Sequence, residues 1–199
     1  DRPFRVQAGP NGSIQGPAEA KWGYTTFTIN DWDADGLPDI VFNSIWGRVQ
    51  WLRNSGSRRQ PVLDAPRNVE YHPLVGSTAP AAGELAGSNG ERTTVIPHKP
   101  AWTWWEPRPG ELVTQWRTTP VAFDCDGDDL VDLLMLDSEG YLSWHQRERQ
   151  AGRLTLGPPR RDFIDAHGKP LRLNQRTAGA SGRRKLAVTD WDGDGQWDL

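Results

Sequence analysis

Cysteine is nearly absent from this chain, whose 199 residues include only Cys125. One thiol cannot build an internal disulfide framework, so we expect metal ions rather than sulfur to cross-link the fold. No apolar run approaches the roughly 18 residues that a membrane helix needs, which argues against a helical membrane span. The first residues, from Asp1 to Phe4, hold neither an initiator methionine nor an apolar signal core. We therefore expect a mature or excised segment.

Hydrophobic residues are also scarce, at 36% of the chain, whereas glycine and proline are abundant, at 21 and 16 residues. This composition is typical of turns and short strands and disfavours long helices. We therefore predict an all-β fold.

The formal net charge of -3 hides an uneven distribution of charge. Of the 26 acidic residues, 13 lie in three short loops, and the rest of the chain holds the other 13 against 23 Lys and Arg residues, of which 19 are Arg. A planar guanidinium suits carboxylate, sulfate or phosphate groups, so this basic remainder indicates an anionic partner. A bias toward Arg in the source genome is the alternative explanation.

The acidic loops share one motif, in which aspartates alternate around a glycine. We number them loop 1 (residues 31–39), loop 2 (124–132) and loop 3 (190–198). Aspartates at positions 1, 3 and 5 can turn their oxygens to one point if the loop curls, and glycine at position 6 permits that turn. Because oxygen ligands of this kind select a hard cation, we predict bound Ca²⁺.

The predicted metal ligands are the aspartates at positions 1, 3, 5 and 9 and the backbone carbonyl at position 7 of each loop. Loop 2 has Asp129 where the other loops have glycine, which weakens its expected affinity, although aspartate tolerates the left-handed conformation. An EF-hand is excluded because position 12 is Phe42 or Met135 rather than an acidic residue. The full ligand set is Asp31, Asp33, Asp35, Leu37, Asp39, Asp124, Asp126, Asp128, Leu130, Asp132, Asp190, Asp192, Asp194, Gln196 and Asp198.

The repeat continues beyond the loops without a gap. Gly47 and Gly140 each lie eight residues after the last aspartate of their loop, and Trp51 and Trp144 follow four residues later. Each unit reads as an entering strand, the loop, and then second, third and fourth strands, which is the pattern of a β-propeller blade. The predicted entering strands are 25–29, 119–123 and 185–188, and the predicted fourth strands are 67–71 and about 153–156.

The intervals between the loops bound the domain organisation. Asp31 and Asp124 are 93 residues apart, whereas Asp124 and Asp190 are 66 apart, so we predict an insertion at about residues 73–116. The chain then holds about two complete blades and the start of a third. Because a propeller needs about four to eight blades, residues 1–199 are expected to be a partial propeller whose partners include the remaining blades.

The motif D-x-D-x-D-G-x-x-D-[IL] between two strands resembles the FG-GAP or VCBS repeats of integrin-α-like propellers. The resemblance covers the three loops and their flanking strands. It implies that the calcium ions are structural and that ligands bind at the opposite face. It also suggests seven blades in the complete protein, because several secreted seven-bladed propellers, some of them polysaccharide lyases, have a similar Trp-rich insertion and an entering segment like Lys21–Tyr24.

The resemblance leads to the expectation of a secreted, carbohydrate-active propeller that cleaves an acidic polysaccharide at a uronate. In such a lyase Arg117 would neutralise the carboxylate, His98 or His72 would act as the base and Tyr24 as the acid. The expected substrate-binding residues, with aromatic faces for sugar rings and guanidinium groups for acids, are Trp22, Trp104, Trp105, Trp116, Arg183 and Arg184.

Two other functions remain open at this stage. One is a non-catalytic propeller that binds a glycan or protein like a lectin or adhesin, and the other is a scaffold in which the tryptophans only pack. Trp51, Trp144 and His145 are expected to be structural in any case. Because the acidic loops would repel it, no nucleic acid is expected as a partner. Calcium loops of this kind suit extracellular calcium, which favours a secreted, periplasmic or cell-surface protein.

Overall fold

The computed structural model describes residues 26–43, 47–72, 105–181 and 183–199. Within these ranges the regular structure is almost entirely antiparallel β, so the prediction of an all-β fold is confirmed. No helix in the described part is long and apolar enough to cross a membrane. The elements are β1 (Thr26–Asn30), β2 (Asp39–Asn43), β3 (Val49–Leu52), β4 (Arg67–Asn68), β5 (Val121–Phe123), β6 (Asp132–Leu136), β7 (Leu142–His145), β8 (Arg147–Gln150), β9 (Arg153–Leu156) and a 3-10 helix (Arg176–Ser181).

Two segments, unit 1 (residues 26–72) and unit 2 (119–165), have the same strand pairing. In unit 1 the sheet order is β1-β2-β3-β4, and in unit 2 it is β5-β6-β7. Ile40 in β2 pairs with Ile29 and Leu52. Leu133, 93 residues later, pairs with Ala122 and His145, which are also 93 residues after their counterparts. The ungapped spacing seen in the sequence therefore corresponds to matching strand register.

Each unit inserts a hairpin after its third strand. In unit 2 this hairpin is β8–β9, in which Arg147 pairs with Leu156. In unit 1 it is marked by the equivalent bridge between Asn54 and Leu63. The prediction of a fourth strand near 153–156 is therefore wrong, because β9 pairs with its neighbour β8 and not with β7.

The fourth position of the unit 2 sheet is instead held by Arg160, which bridges to Trp144. In unit 1, Arg67 of β4 pairs with Trp51. These two residues lie 93 positions before Arg160 and Trp144. The predicted fourth strand at 67–71 is thus present, although β4 itself covers only Arg67–Asn68.

The same comparison locates the insertion. In unit 1 the chain leaves the sheet after Glu70, which pairs with Glu111, whereas in unit 2 Ile164 pairs with Pro170 across a short turn. The segment between Glu70 and Glu111 therefore takes the place of residues 165–169. The chain rejoins the sheet at Glu111, a few residues before the predicted end of the insertion at residue 116.

The sheets stack face to face in chain order. One face of unit 1 packs on unit 2 through a cluster that includes Val41, Val49, Leu133 and Met135. The opposite face of unit 2, with Leu134 and Leu136, packs on side chains of the following segment, among them Leu186 and Val188. Residues 185–188 were predicted to be an entering strand, but the structure assigns them no strand.

The entering strands lie side by side in this stack. Thr26 Oγ1 donates to the carbonyl of Thr118 at 2.6 Å, and Asn30 Nδ2 donates to the carbonyl of Ala122 at 3.0 Å. One unit further on, Thr119 N donates to the carbonyl of Arg184 at 3.1 Å. Hydrogen bonds therefore connect the start of each unit to the start of the next.

His145 is a buried structural residue, as its position on the third strand suggested. It is 1% exposed, its Nδ1 lies 3.0 Å from the carbonyl of Gly157, and its ring centroid lies 6.0 Å from that of Tyr71. The carbonyl contact requires a proton on Nδ1, so the neutral ring carries its lone pair on Nε2. Burial lowers the pKa of His145 to about 4.

This burial predicts an acid-sensitive step in stability. The unfolded chain protonates His145 near its ordinary pKa, whereas the folded chain resists protonation, so the free energy of unfolding must fall as the pH drops below about 6.5. Between pH 7.5 and pH 5, His145→Gln should lose about 2 kcal/mol less stability than the wild type. Urea unfolding of both proteins at the two pH values measures the difference, and equal acid sensitivity would contradict a neutral buried histidine.

Candidate metal sites and the opposite face

The first aspartate of each loop organises the loop backbone. In loop 1, Asp31 Oδ1 accepts the N–H of Asp35 at 3.0 Å and Oδ2 accepts that of Gly36 at 2.8 Å. Loops 2 and 3 repeat both bonds with Asp124 and Asp190 as the acceptors. The curl predicted from the alternating aspartates is therefore present in all three loops.

Position 6 of each loop has the left-handed backbone conformation that the curl requires. The φ angles are 87° at Gly36, 64° at Asp129 and 83° at Gly195. Asp129 thus follows the glycines, and loop 2 keeps the shape of the other two. Adopting this conformation with a side chain costs roughly 1–2 kcal/mol.

The last aspartate ties the loop to the rest of its unit. Asp39 is fully buried; its Oδ2 accepts the N–H of Trp32 at 3.2 Å, and its Oδ1 accepts that of Asn54 at 2.7 Å. Asp132 is also fully buried, and its carboxylate accepts the backbone N–H groups of Cys125 and Arg147. Burial raises the pKa of each carboxyl to about 6.

Three carboxylates converge in each loop, with oxygen atoms within 4.8 Å of one another. Loops 1 and 2 use positions 1, 3 and 9, whereas loop 3 uses positions 1, 3 and 5. The aspartates at position 5 also accept the N–H of position 7, at 2.9 Å in loops 1 and 2 and 2.7 Å in loop 3. The clusters are Asp31, Asp33 and Asp39; Asp124, Asp126 and Asp132; and Asp190, Asp192 and Asp194.

The donor set fits a hard divalent cation. In loop 1, Asp33 Oδ1 is buried and has no hydrogen-bond partner among the described residues, and such an orphaned oxygen needs explanation. Clustered carboxylates repel one another, and an oxygen-binding cation relieves both the repulsion and the orphaned atom. The carbonyl ligands predicted at Leu37, Leu130 and Gln196 stay predictions.

Loop 1 differs from loop 2 in one neighbour that the sequence analysis missed. Arg53 Nε lies 2.6 Å from Asp33 Oδ2, and its NH2 lies 2.7 Å from Asp35 Oδ2. The equivalent position in unit 2 is Gln146, whose Nε2 donates to Asp126 Oδ2 at 2.6 Å. The ungapped 93-residue spacing would have pointed to this pair. A fixed cation therefore faces loop 1, and a neutral amide faces loop 2.

The ends of the strands opposite the loops bring two predicted connections together. Trp116 N donates to the carbonyl of Gly179 at 2.8 Å, and Arg183 N donates to the carbonyl of Trp116 at 3.1 Å. Arg117 and Arg183 are 66 residues apart, like loops 2 and 3. Both have left-handed backbones, with φ of 59° and 55°. Unit 2 and the segment that follows it thus hold an arginine in the same unusual conformation at equivalent positions.

A recess of about 310 Å³ lies at this same end, which we call the opposite face. Arg184 Nε donates to Asn174 Oδ1 at 3.0 Å. Asn174 Nδ2 donates in turn to Oε1 of the fully buried Gln115 at 2.9 Å. The recess combines arginine and amide groups with apolar surface and is lined by Arg172, Leu173, Asn174, Gln175 and Arg184.

The other predicted site residues are dispersed. Trp105 lies under Arg48, whose Cζ is 4.3 Å from the ring centroid. His72 donates its backbone N–H to Leu156 of β9 at 2.8 Å, and Leu156 pairs with Arg147 beside loop 2. His72 is thus attached near the loop end of unit 2, away from Arg117. Trp22, Tyr24, His98 and Trp104 lie outside the described residues.

No protein-family model, curated protein or solved structure matches the chain. The assignments of propeller, metal and ligand therefore depend on the loops, the sheets and the opposite face themselves.

Arg53 should compete with a metal ion in loop 1. We expect Arg53→Gln to lower the melting temperature of the metal-free protein, because the carboxylates lose their counter-charge, and to strengthen divalent cation binding by a factor on the order of 3. The reciprocal variant Gln146→Arg should weaken binding at loop 2. Calorimetric titration of chelator-treated protein with Ca²⁺ measures both, and unchanged affinities in the two variants would contradict the competition.

Proposed function

We propose that this chain is part of a calcium-stabilised β-propeller that binds an acidic polysaccharide at the opposite face. The stack of unit 1, unit 2 and the following segment, with entering strands side by side, supports the propeller. In such an arrangement each four-stranded unit is a blade. By the motif's resemblance the complete protein would have seven blades.

Exposed apolar side chains at both ends of the stack also support further blades. On unit 1, Phe27 and Ile29 are 54% and 57% exposed, on the face turned away from unit 2. At the other end Trp191 is 85% exposed. Large apolar surfaces of this kind mark contact sites, and two additional sheets would cover them.

Calcium is the proposed ion because every side-chain donor in the three clusters is a carboxylate oxygen. Such donor sets, presented on curled loops, suit Ca²⁺ better than ions that prefer nitrogen or sulfur. The proposed location is secreted, periplasmic or cell-surface, where calcium is abundant enough to fill sites of modest affinity.

The left-handed pair Arg117 and Arg183 carries the proposal of an anionic ligand. Non-glycine residues in this conformation cost of order 1–3 kcal/mol and concentrate at functional sites. Arg117 lies just before β5, Arg183 lies at the corresponding position of the following segment, and both are at the opposite face near the recess that holds Arg172 and Arg184. Guanidinium groups bind uronate carboxylates in a bidentate manner, and Trp116 adds an aromatic surface suited to a sugar ring.

The described residues supply groups for binding, namely the arginines and Trp116, and binding is therefore the function proposed here. A lyase also needs a base and an acid beside the neutralising arginine. The candidates Tyr24 and His98 lie outside the described residues, and His72 is attached near the loop end. Cleavage of a uronate polymer is therefore a separate outcome of the experiment below.

Calcium should raise the stability of the protein. At a concentration one hundred times its dissociation constant, one site contributes about 2.7 kcal/mol, so we expect the melting temperature to rise by roughly 5–10 °C on replacing chelator with Ca²⁺. Asp33→Asn with Asp126→Asn should remove most of this rise, and the control Asp64→Asn should retain it. Identical melting curves in chelator and calcium would overturn the assignment of the loops.

Substitutions at Arg117 and Arg183 should weaken ligand binding without lowering the stability of the protein. Glycine accepts a left-handed backbone without strain, so Arg117→Gly with Arg183→Gly should leave the protein as stable as the wild type or stabilise it by about 1 kcal/mol per site. The same variant should weaken binding to a polyuronate at least tenfold. Arg59→Gly, on the exposed turn of unit 1, is the matched control.

Calorimetry with a polyuronate and a neutral polysaccharide measures this binding. Undiminished polyuronate affinity in the double glycine variant would exclude the proposed site. The ultraviolet absorbance of unsaturated uronate ends, followed in parallel, detects cleavage. Absorbance that His98→Ala abolishes would establish lyase activity, and absorbance that survives would remove His98 from the mechanism.

A further inference from the structure

A second cavity, of about 430 Å³, lies at the loop end between unit 1 and the β8–β9 hairpin of unit 2. It is separate from the recess of the opposite face, since no residue lines both. A volume of this size falls in the range of small-molecule pockets. Its walls include Trp32, Asp33, Trp51, Arg147, Arg149 and Arg153.

Arg147 is the fixed cation of this cavity. It is 7% exposed, its Cζ lies 3.9 Å from the ring centroid of Trp32, and its NH2 donates to the carbonyl of Trp32. Stacking on the Trp32 ring and the hydrogen bond to its carbonyl thus hold the guanidinium against loop 1. Burial lowers its pKa to about 10, so the group stays charged at neutral pH.

The Nε–H of Arg147 lacks an acceptor. The atom is buried and has no hydrogen-bond partner among the described residues. An unsatisfied buried donor is costly, and more so when it is charged. Arg147 therefore contributes a buried positive charge to the cavity wall.

Two further arginines add positive charge to the same wall. Arg149 and Arg153 lie on the paired strands of the hairpin, and neither forms an ion pair with any residue in the described ranges. The acidic lining residues are engaged elsewhere. Asp33 is paired with Arg53 at 2.6 Å and Glu70 with Arg108 at 3.0 Å.

The remaining wall is apolar and includes one flat surface. Trp51 is half-buried, and Val69 and Leu154 also line the cavity. A tryptophan face beside cationic groups suits a ring that carries an acidic substituent. An isolated inorganic anion would use the arginines but leave this surface uncovered.

We propose that the cavity between loop 1 and the β8–β9 hairpin binds a single sugar unit bearing a carboxylate or sulfate group. The oxyanion is bound by Arg149 and Arg153 beside the buried charge of Arg147, while the sugar ring lies against Trp51. The site is independent of the proposed function of the opposite face, because its residues belong to the loop end.

The test uses the whole protein in calcium-containing buffer and three probes, namely a monomeric uronic acid, a monosulfated hexose and the neutral hexose. We expect millimolar binding of the two acidic sugars and none of the neutral one. In ¹H–¹⁵N NMR spectra the Nε–H signal of Arg147 should shift on titration. Arg149→Gln with Arg153→Gln should weaken binding at least tenfold, and the folding of this variant is checked by urea unfolding.

Controls separate the alternatives. Arg58→Gln with Arg59→Gln removes two exposed charges outside the cavity and should leave binding unchanged, as should the double glycine variant of the opposite face. Trp51→Phe should weaken the binding of the sulfated hexose but not the binding of inorganic sulfate. Absence of binding of both acidic sugars, or equal affinity for inorganic sulfate and the sulfated hexose, would overturn the proposal. Binding unaffected by the double glutamine variant would do the same.

Discussion

The buried carboxylate at the end of loop 1 and of loop 2 is the interaction on which the rest of the structure depends. Asp39 and Asp132 each join two backbone N–H groups, one within the loop and one just beyond the third strand. A buried polar group is tolerated only when it is hydrogen-bonded. This requirement fixes the loop against the start of the following hairpin and so sets the geometry of the whole loop end.

The two ends of each sheet therefore differ in their hydrogen bonding. At the loop end, the backbone amides point their N–H groups at aspartates, and the carboxylates that remain gather at one point. At the other end the entering segments meet through backbone bonds such as that between Arg183 and Trp116. Aspartate acceptors thus organise the loop end, whereas backbone pairs join the opposite end.

The spacing of motifs predicted the core of each unit because it reflects strand register. Ile40 and Leu133 are equivalent in sequence and also in pairing. The fourth strand of unit 2 was misplaced, since a short alternating run such as Arg153–Leu156 pairs as well with an adjacent strand as with a distant one. Choosing between these partners depends on the turn at Ala151 and Gly152, whose φ angles are 48° and 78°.

Arg53 and Arg147 were missed for a different reason. Neither belongs to a recognisable motif, and each acquires its role from a neighbour distant in sequence. At the 93-residue spacing of the two units, Arg53 corresponds to Gln146 and Asn54 corresponds to Arg147. Such differences at otherwise equivalent positions are the places where two similar units acquire different chemistry.

The arginines themselves bear on whether the basic composition is only a genomic bias. Arg67 and Arg160 lie over tryptophans at the same position of successive units, with Cζ to ring-centroid distances of 5.8 and 4.3 Å. Arg161 bridges Asp137 and Glu139 and covers the ring of Tyr141. These tasks need a planar, multidentate cation, which lysine does not provide. A bias in codon usage would supply arginine but would not place it repeatedly on aromatic rings and in ion pairs, so these contacts favour a structural use of arginine.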